Sequence, residues 1–129
     1  MRFYSFATQE ERRKFGGSYF IELQYCRFAR GTDIETILSA IEHWKNDSLY
    51  IYGDDDNTFV SDYGEIFTGG IYGNQKRGMV DIVGINYYSE EHARAITEAV
   101  KERKPPDYPN LLNWLETGKA YNGFYILGL

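Results

Sequence analysis

The sequence predicts an α+β fold, a mostly antiparallel sheet of five to six strands with two longer helices and short helices packed on it. Three observations carry this reading. The chain has 129 residues, 43% hydrophobic and 17% aromatic, which is the size and composition of a single globular domain spanning 1–129 and not of a disordered or disulfide-scaffold chain. Segments of period two recur between glycine-rich and polar turns, as in hairpins and meanders. Segments of period near 3.6 stand among them without the regular strand–helix alternation of a parallel sheet.

Element by element, Thr8-Gln9-Glu10-Glu11 has the form of a capping box and predicts a short basic helix over 9–15, stopped at Gly16-Gly17. Ser18 to Phe28 alternates, with Tyr19, Ile21, Leu23 and Tyr25 on one face and Glu22 and Gln24 on the other, so it reads as a strand with one wet face. Thr32-Asp33-Ile34-Glu35 is a second capping box. Ile34, Ile37, Leu38, Ile41 and Trp44 follow at three- and four-residue spacing and predict a helix lying on the sheet. Leu49 to Tyr52 reads as a strand ending in the polar turn Gly53 to Asn57. Thr58 to Tyr72, broken by Gly64, Gly69 and Gly70, reads as two short strands in a meander.

Gly73 to Gly78 is a hairpin loop, and Met79 to Tyr88 a further strand interrupted at Gly84. Ser89 caps a long helix with the apolar stripe Ala93, Ile96, Ala99 and Val100, ending near Arg103. All three prolines fall in the stiff connector Lys104 to Pro109, after which Leu111, Leu112, Trp114 and Leu115 make a one- or two-turn helix stopped at Gly118. Phe124 to Leu129 is apolar on both faces and belongs inside the sheet. The expected core includes Leu23, Ile37, Ile41, Trp44, Ile96, Val100, Phe124 and Ile126.

Charge is uneven. The net charge is −5; residues 1–31 carry six basic against three acidic side chains, residues 32–88 three against ten, and residues 89–129 five against six. A chain so balanced is a poor match for a phosphate backbone, whose binding is driven by Lys and Arg, so nucleic acid is not an expected partner. No apolar run reaches the ~20 residues of a bilayer span, and Met1 to Ser5 lacks the apolar core of a secretory signal. The single Cys26 forms no internal disulfide, which fits a reducing cytoplasm.

No constellation for chemistry stands out. His43 and His92 lie on predicted helices as solvated or packing residues, and Cys26 among aromatic neighbours reads as an inert thiol. Asp54-Asp55-Asp56-Asn57 fails the EF-hand template, because Phe59 stands where the loop needs glycine, so no metal or other cofactor is expected. The glycines match neither phosphate-loop pattern. Tyrosine, twelve in all, is the unusual residue, and it is grouped with acids in the middle of the chain. Large rigid rings with a polar tip suit binding hot spots. The expected partner-binding residues are therefore Tyr50, Tyr52, Asp54, Asp55, Asp56, Asp62, Tyr63 and Glu65.

In size, charge and its acidic, aromatic stretch from Tyr50 to Asp81, the chain resembles the immunity proteins that bacteria make against their own toxins, including those of contact-dependent growth inhibition. The likeness is one of overall character and transfers no residue. It implies a cytoplasmic protein that covers the active site of a cognate toxin domain, often a basic nuclease, without chemistry of its own. The competing class is a small-molecule enzyme or ligand sensor with a pocket near Gly69 and Gly70, using Asp81, Glu65 or a histidine as acid or base. A deep pocket where a carboxylate and a histidine converge distinguishes it from a binder's broad acidic and aromatic surface.

Overall fold

A computed structural model describes residues 2–129. In chain order these form α1 (Gln9–Gly16), β1 (Phe20–Tyr25), α2 (Ile34–Ser39), β2 (Leu49–Tyr52), α3 (Asp56–Tyr63), β3 (Gly70–Tyr72), β4 (Arg77–Gly78), β5 (Ile85–Tyr88), α4 (Glu90–Arg103), α5 (Tyr108–Thr117) and β6 (Phe124–Leu127). The six strands make one antiparallel sheet in the order β2-β1-β6-β5-β3-β4, an α+β architecture. Strand β6, buried at every position, lies between β1 and β5, as its two-sided apolar pattern requires.

Alternation along the strands builds two cores. Ile21 and Leu23 of β1, Leu49 and Ile51 of β2, Tyr88 of β5 and Phe124 and Ile126 of β6 face a layer made by α3, α4 and α5, which contribute Phe59, Ile96, Val100, Leu111 and Trp114. On the opposite face Tyr87, Tyr125 and Leu127 pack under Ile37 and Leu38 of α2. Beside them Phe20, Tyr50 and Tyr52 pack against Phe6 and Phe15, so α1 covers the β1–β2 end. Six of the eight expected core residues are buried; Ile41 and Trp44 are only half-buried.

Several expectations are corrected. The polar side of β1 is not wet: Glu22 is 1% and Gln24 4% exposed. Helix α2 stops at Ser39 and does not reach Trp44, and its cap is Asp33, whose carboxylate accepts the Thr36 N–H at 3.1 Å. The reason is that Glu22 captures the N–H of Trp44 (2.8 Å) and of Lys45 (3.0 Å), while Gln24 donates to the Glu42 carbonyl (2.7 Å). These bonds offer the backbone partners outside a helix, which outweighs the apolar spacing of Ile41 and Trp44.

Residues 53–63, read as a turn and a strand, are a 3-10 turn (Gly53–Asp55) running into α3, because Phe59 and Tyr63 at helical spacing fill the core with Phe3 and Phe67. Tertiary burial overrides the strand preference of Phe59 and Val60. The strand expected over 79–88 is only Ile85–Tyr88. Helix α5 is longer than expected, since Pro109 sits in its first turn, where a missing N–H costs nothing.

Candidate protein-binding surface

Where β2 ends, the chain turns at Gly53, whose N–H donates to the Tyr19 carbonyl at 2.9 Å. That bond brings the end of β2 beside the residues leading into β1. A Cβ at Gly53 would lie 2.5 Å from the Tyr19 ring, so glycine is what lets the ring lie flat on the turn. Tyr19 meets Tyr52 edge-on (5.7 Å, 87°), and Tyr52 meets Phe15 of α1 edge-on (5.5 Å, 84°). Phe15 is 49% and Tyr19 45% exposed, so the trio shows large ring surface to solvent while Phe20 backs it from the core.

Asp54, Asp55 and Asp56 follow directly on this trio. Asp54 is exposed, and the other two are half-buried at the start of α3, where the helix dipole favours negative charge. Among the described residues none of these three carboxylates forms an ion pair, whereas the other two expected acids do. Asp62 faces Arg2 at 3.2 Å, at an angle that makes no hydrogen bond, and Glu65 pairs with Arg103 at 2.6 Å. Tyr50 and Tyr63, expected as anchors, are core residues and do not reach the surface. The Tyr50 hydroxyl donates to the Lys45 carbonyl and that of Tyr63 to the Pro106 carbonyl, both at 2.6 Å. Burial first, and then the nearby Glu22, pushes the Tyr50 hydroxyl up to about 12. Tyr63 is raised as well, by burial and then by Asp107 and Asp62.

The structure thus gathers Tyr52, Asp54, Asp55 and Asp56 of the expected set, sets Asp62 and Glu65 apart in ion pairs, and withdraws Tyr50 and Tyr63. Phe15 and Tyr19 were missed. Phe15 had a readable signal: it is the one large apolar residue on α1, otherwise polar and charged. Tyr19 reads as the first residue of the apolar face of β1, but the strand begins one residue later, at Phe20.

The alternative pocket was expected near Gly69 and Gly70, but the rings of His92 and Tyr88 press on those two glycines. Burial, and then Arg77, lowers the His92 pKa. An open trough of about 580 Å³ does lie at the far end of the same hairpin, with His43, Tyr72, Asp81 and Val83 on its walls. Within it the Asp81 carboxylate accepts the Val83 N–H at 3.0 Å and so is engaged in its own turn. Among the described residues no group of three or more His, Cys, Asp or Glu is arranged to hold a metal ion, and no helix is long and apolar enough to cross a membrane. In comparisons of the chain with protein-family models, curated proteins and solved structures, none matches.

Proposed function

We propose that this protein is a non-enzymatic binding module that neutralises a basic protein, a toxin domain of the kind immunity proteins cover, acting in the cytoplasm. One observation carries the reading: three carboxylates that form no ion pair among the described residues follow directly on two exposed rings, Phe15 and Tyr19, and the half-buried Tyr52 that links them at the end of β2. The carboxylates attract a basic partner and speed the encounter, and the rings, once desolvated, slow its departure. Asp62 and Glu65 play a lesser part, since each already has a cation.

The test uses the protein encoded immediately upstream as the probe, with rates measured by surface capture at low and moderate salt. Asp54→Asn, Asp55→Asn and Asp56→Asn together should slow association and flatten its salt dependence. Tyr19→Ala or Phe15→Ala should instead speed dissociation, at a cost of about 2 kcal/mol. Absence of binding, or rates unmoved by all five changes, would overturn the proposal. A second reading, a small-molecule enzyme or sensor, is favoured by the trough that carries both His43 and Asp81. It predicts a ligand whose binding is lost in Asp81→Asn and untouched by the Asp54–Asp56 changes.

A further inference from the structure

Between α2 and β2 the chain runs through residues 40–48 without regular secondary structure, yet it is held at many points. The buried Glu22 carboxylate accepts four donors: the N–H of Trp44 (2.8 Å), the N–H of Lys45 (3.0 Å), the Ser48 hydroxyl (2.7 Å) and the Gln24 amide (3.1 Å). Gln24 also donates to the Glu42 carbonyl, Tyr50 to the Lys45 carbonyl, and the Trp114 indole to the Asp47 carbonyl at 2.8 Å. So anchored, Trp44 adopts φ +70°, a left-handed conformation that a bulky side chain rarely takes. Its ring is pinned by the Arg12 guanidinium, 3.8 Å from the ring centroid and itself buried.

Strain of this kind persists only where surroundings over-determine it, and it concentrates at binding sites. What the anchors leave outside is informative: Glu42, His43, Asn46 and Asp47 are exposed and Trp44 is half-exposed, while the backbone beneath them is tied down. The loop precedes β2 and the acidic turn follows it, and α1 links the loop to the aromatic rings. Gln9 at the start of α1 bonds Asn46 at 2.8 Å, Arg12 in its middle stacks on Trp44, and Phe15 stands near its end. At the rise of an α-helix, Gln9 and Phe15 are roughly 9 Å apart, well inside one protein interface.

We infer that residues 42–47 form a second arm of the partner-binding surface, a recognition loop whose shape is set in advance by the positioning residue Glu22. This inference rests on the binding function proposed above and adds to it a second patch, with His43 and Trp44 at its centre. A loop already ordered before the encounter loses little freedom on binding, so its contribution appears in slow dissociation.

The test again uses the upstream-encoded protein. In the wild-type complex, hydrogen exchange at the amides of residues 42–47 should slow relative to the free protein. His43→Ala should speed dissociation several-fold, with association unchanged. Glu22→Gln keeps the side chain's shape but removes an acceptor; it should speed amide exchange at Trp44 and Lys45 and dissociation about tenfold. The triple Asp54–Asp56 change should slow association and leave those amides alone. If the wild type binds and the acidic variants slow association, but the loop gains no protection and His43→Ala changes nothing, the second arm is refuted and the binding function stands. If the wild type does not bind, the binding function falls and the loop proposal with it. Should Glu22→Gln not fold, exchange footprinting and His43→Ala decide the matter.

Discussion

A carboxylate on a strand between two apolar neighbours reads as the wet side of a sheet, and Glu22 shows how that rule is overturned. Four donors converge on it, three on Oε2 and one on Oε1, so both oxygens of the buried carboxylate are hydrogen-bonded. The signal was out of reach of the sequence, because three of the four donors come from residues 44, 45 and 48, at and beyond the end of an apolar spacing that reads as helix up to Trp44. Trp44 shows the consequence at its own backbone. At φ +70° a non-glycine residue is disfavoured by roughly 1–2 kcal/mol, partly offset by the extra unfolded-state freedom of glycine. Trp44→Ala and Trp44→Gly should both destabilise through loss of the Arg12 stack, but the glycine variant should match or exceed the alanine variant by up to about 1 kcal/mol in urea unfolding. An alanine variant clearly the more stable of the two would mean that the left-handed turn is not retained.

At the level of elements, β6 carries the most weight, since it pairs with β1 through Glu22–Leu127 to Tyr25–Phe124 and with β5 through Ile85–Leu127 to Tyr88–Phe124. Deleting Phe124 to Leu129 removes both ladders and packing on both faces. Thermal unfolding should then lose its sharp transition; a retained cooperative melt would make β6 peripheral. This strand was legible because apolar residues at consecutive positions admit no wet face. Helices α1 and α4 were legible from their caps: Thr8 accepts the Glu11 N–H and Ser89 the His92 N–H, both at 3.2 Å. Helix α3 was not, since Phe59, Val60 and Tyr63 are strand formers whose helical spacing matters only once Phe3 and Phe67 are in place around them. Of the candidate surface, the acidic turn was visible as a run of aspartates. Which acids form ion pairs was not, because Arg2 and Arg103 reach Asp62 and Glu65 from distant parts of the chain.

Across the whole molecule, tyrosine hydroxyls stitch the layers together. Tyr25 donates to Trp114, Tyr50 to Lys45, Tyr63 to Pro106, Tyr87 to Asn122, Tyr88 to Phe67 and Tyr125 to Ile37, each to a main-chain carbonyl at 2.6–2.7 Å. Burial raises the pKa of all six, Tyr50 to about 12 and the others further. In the unfolded chain a tyrosine ionises near 10. The unfolded state therefore loses its protons first, so stability is intact below about pH 10 and declines as pH rises toward the folded values. Denaturant midpoints should fall steeply above that pH, with the phenolate signal of these six rings, resolved from the other tyrosines by NMR, rising only together with loss of secondary structure. Phenolate formed at these six in a still-folded protein would refute the role of their hydroxyls.

The sheet order also governs how the protein is made. Glu22 and Leu127, side by side in the sheet, lie about one hundred residues apart in sequence, a separation that slows closure. While a ribosome is still translating residues 124–127, β1 and β5 have no strand between them and their facing edges are open to other chains. Folding of the sheet must therefore wait until synthesis has passed β6, and nascent chains shorter than that should remain sensitive to protease and dependent on chaperones.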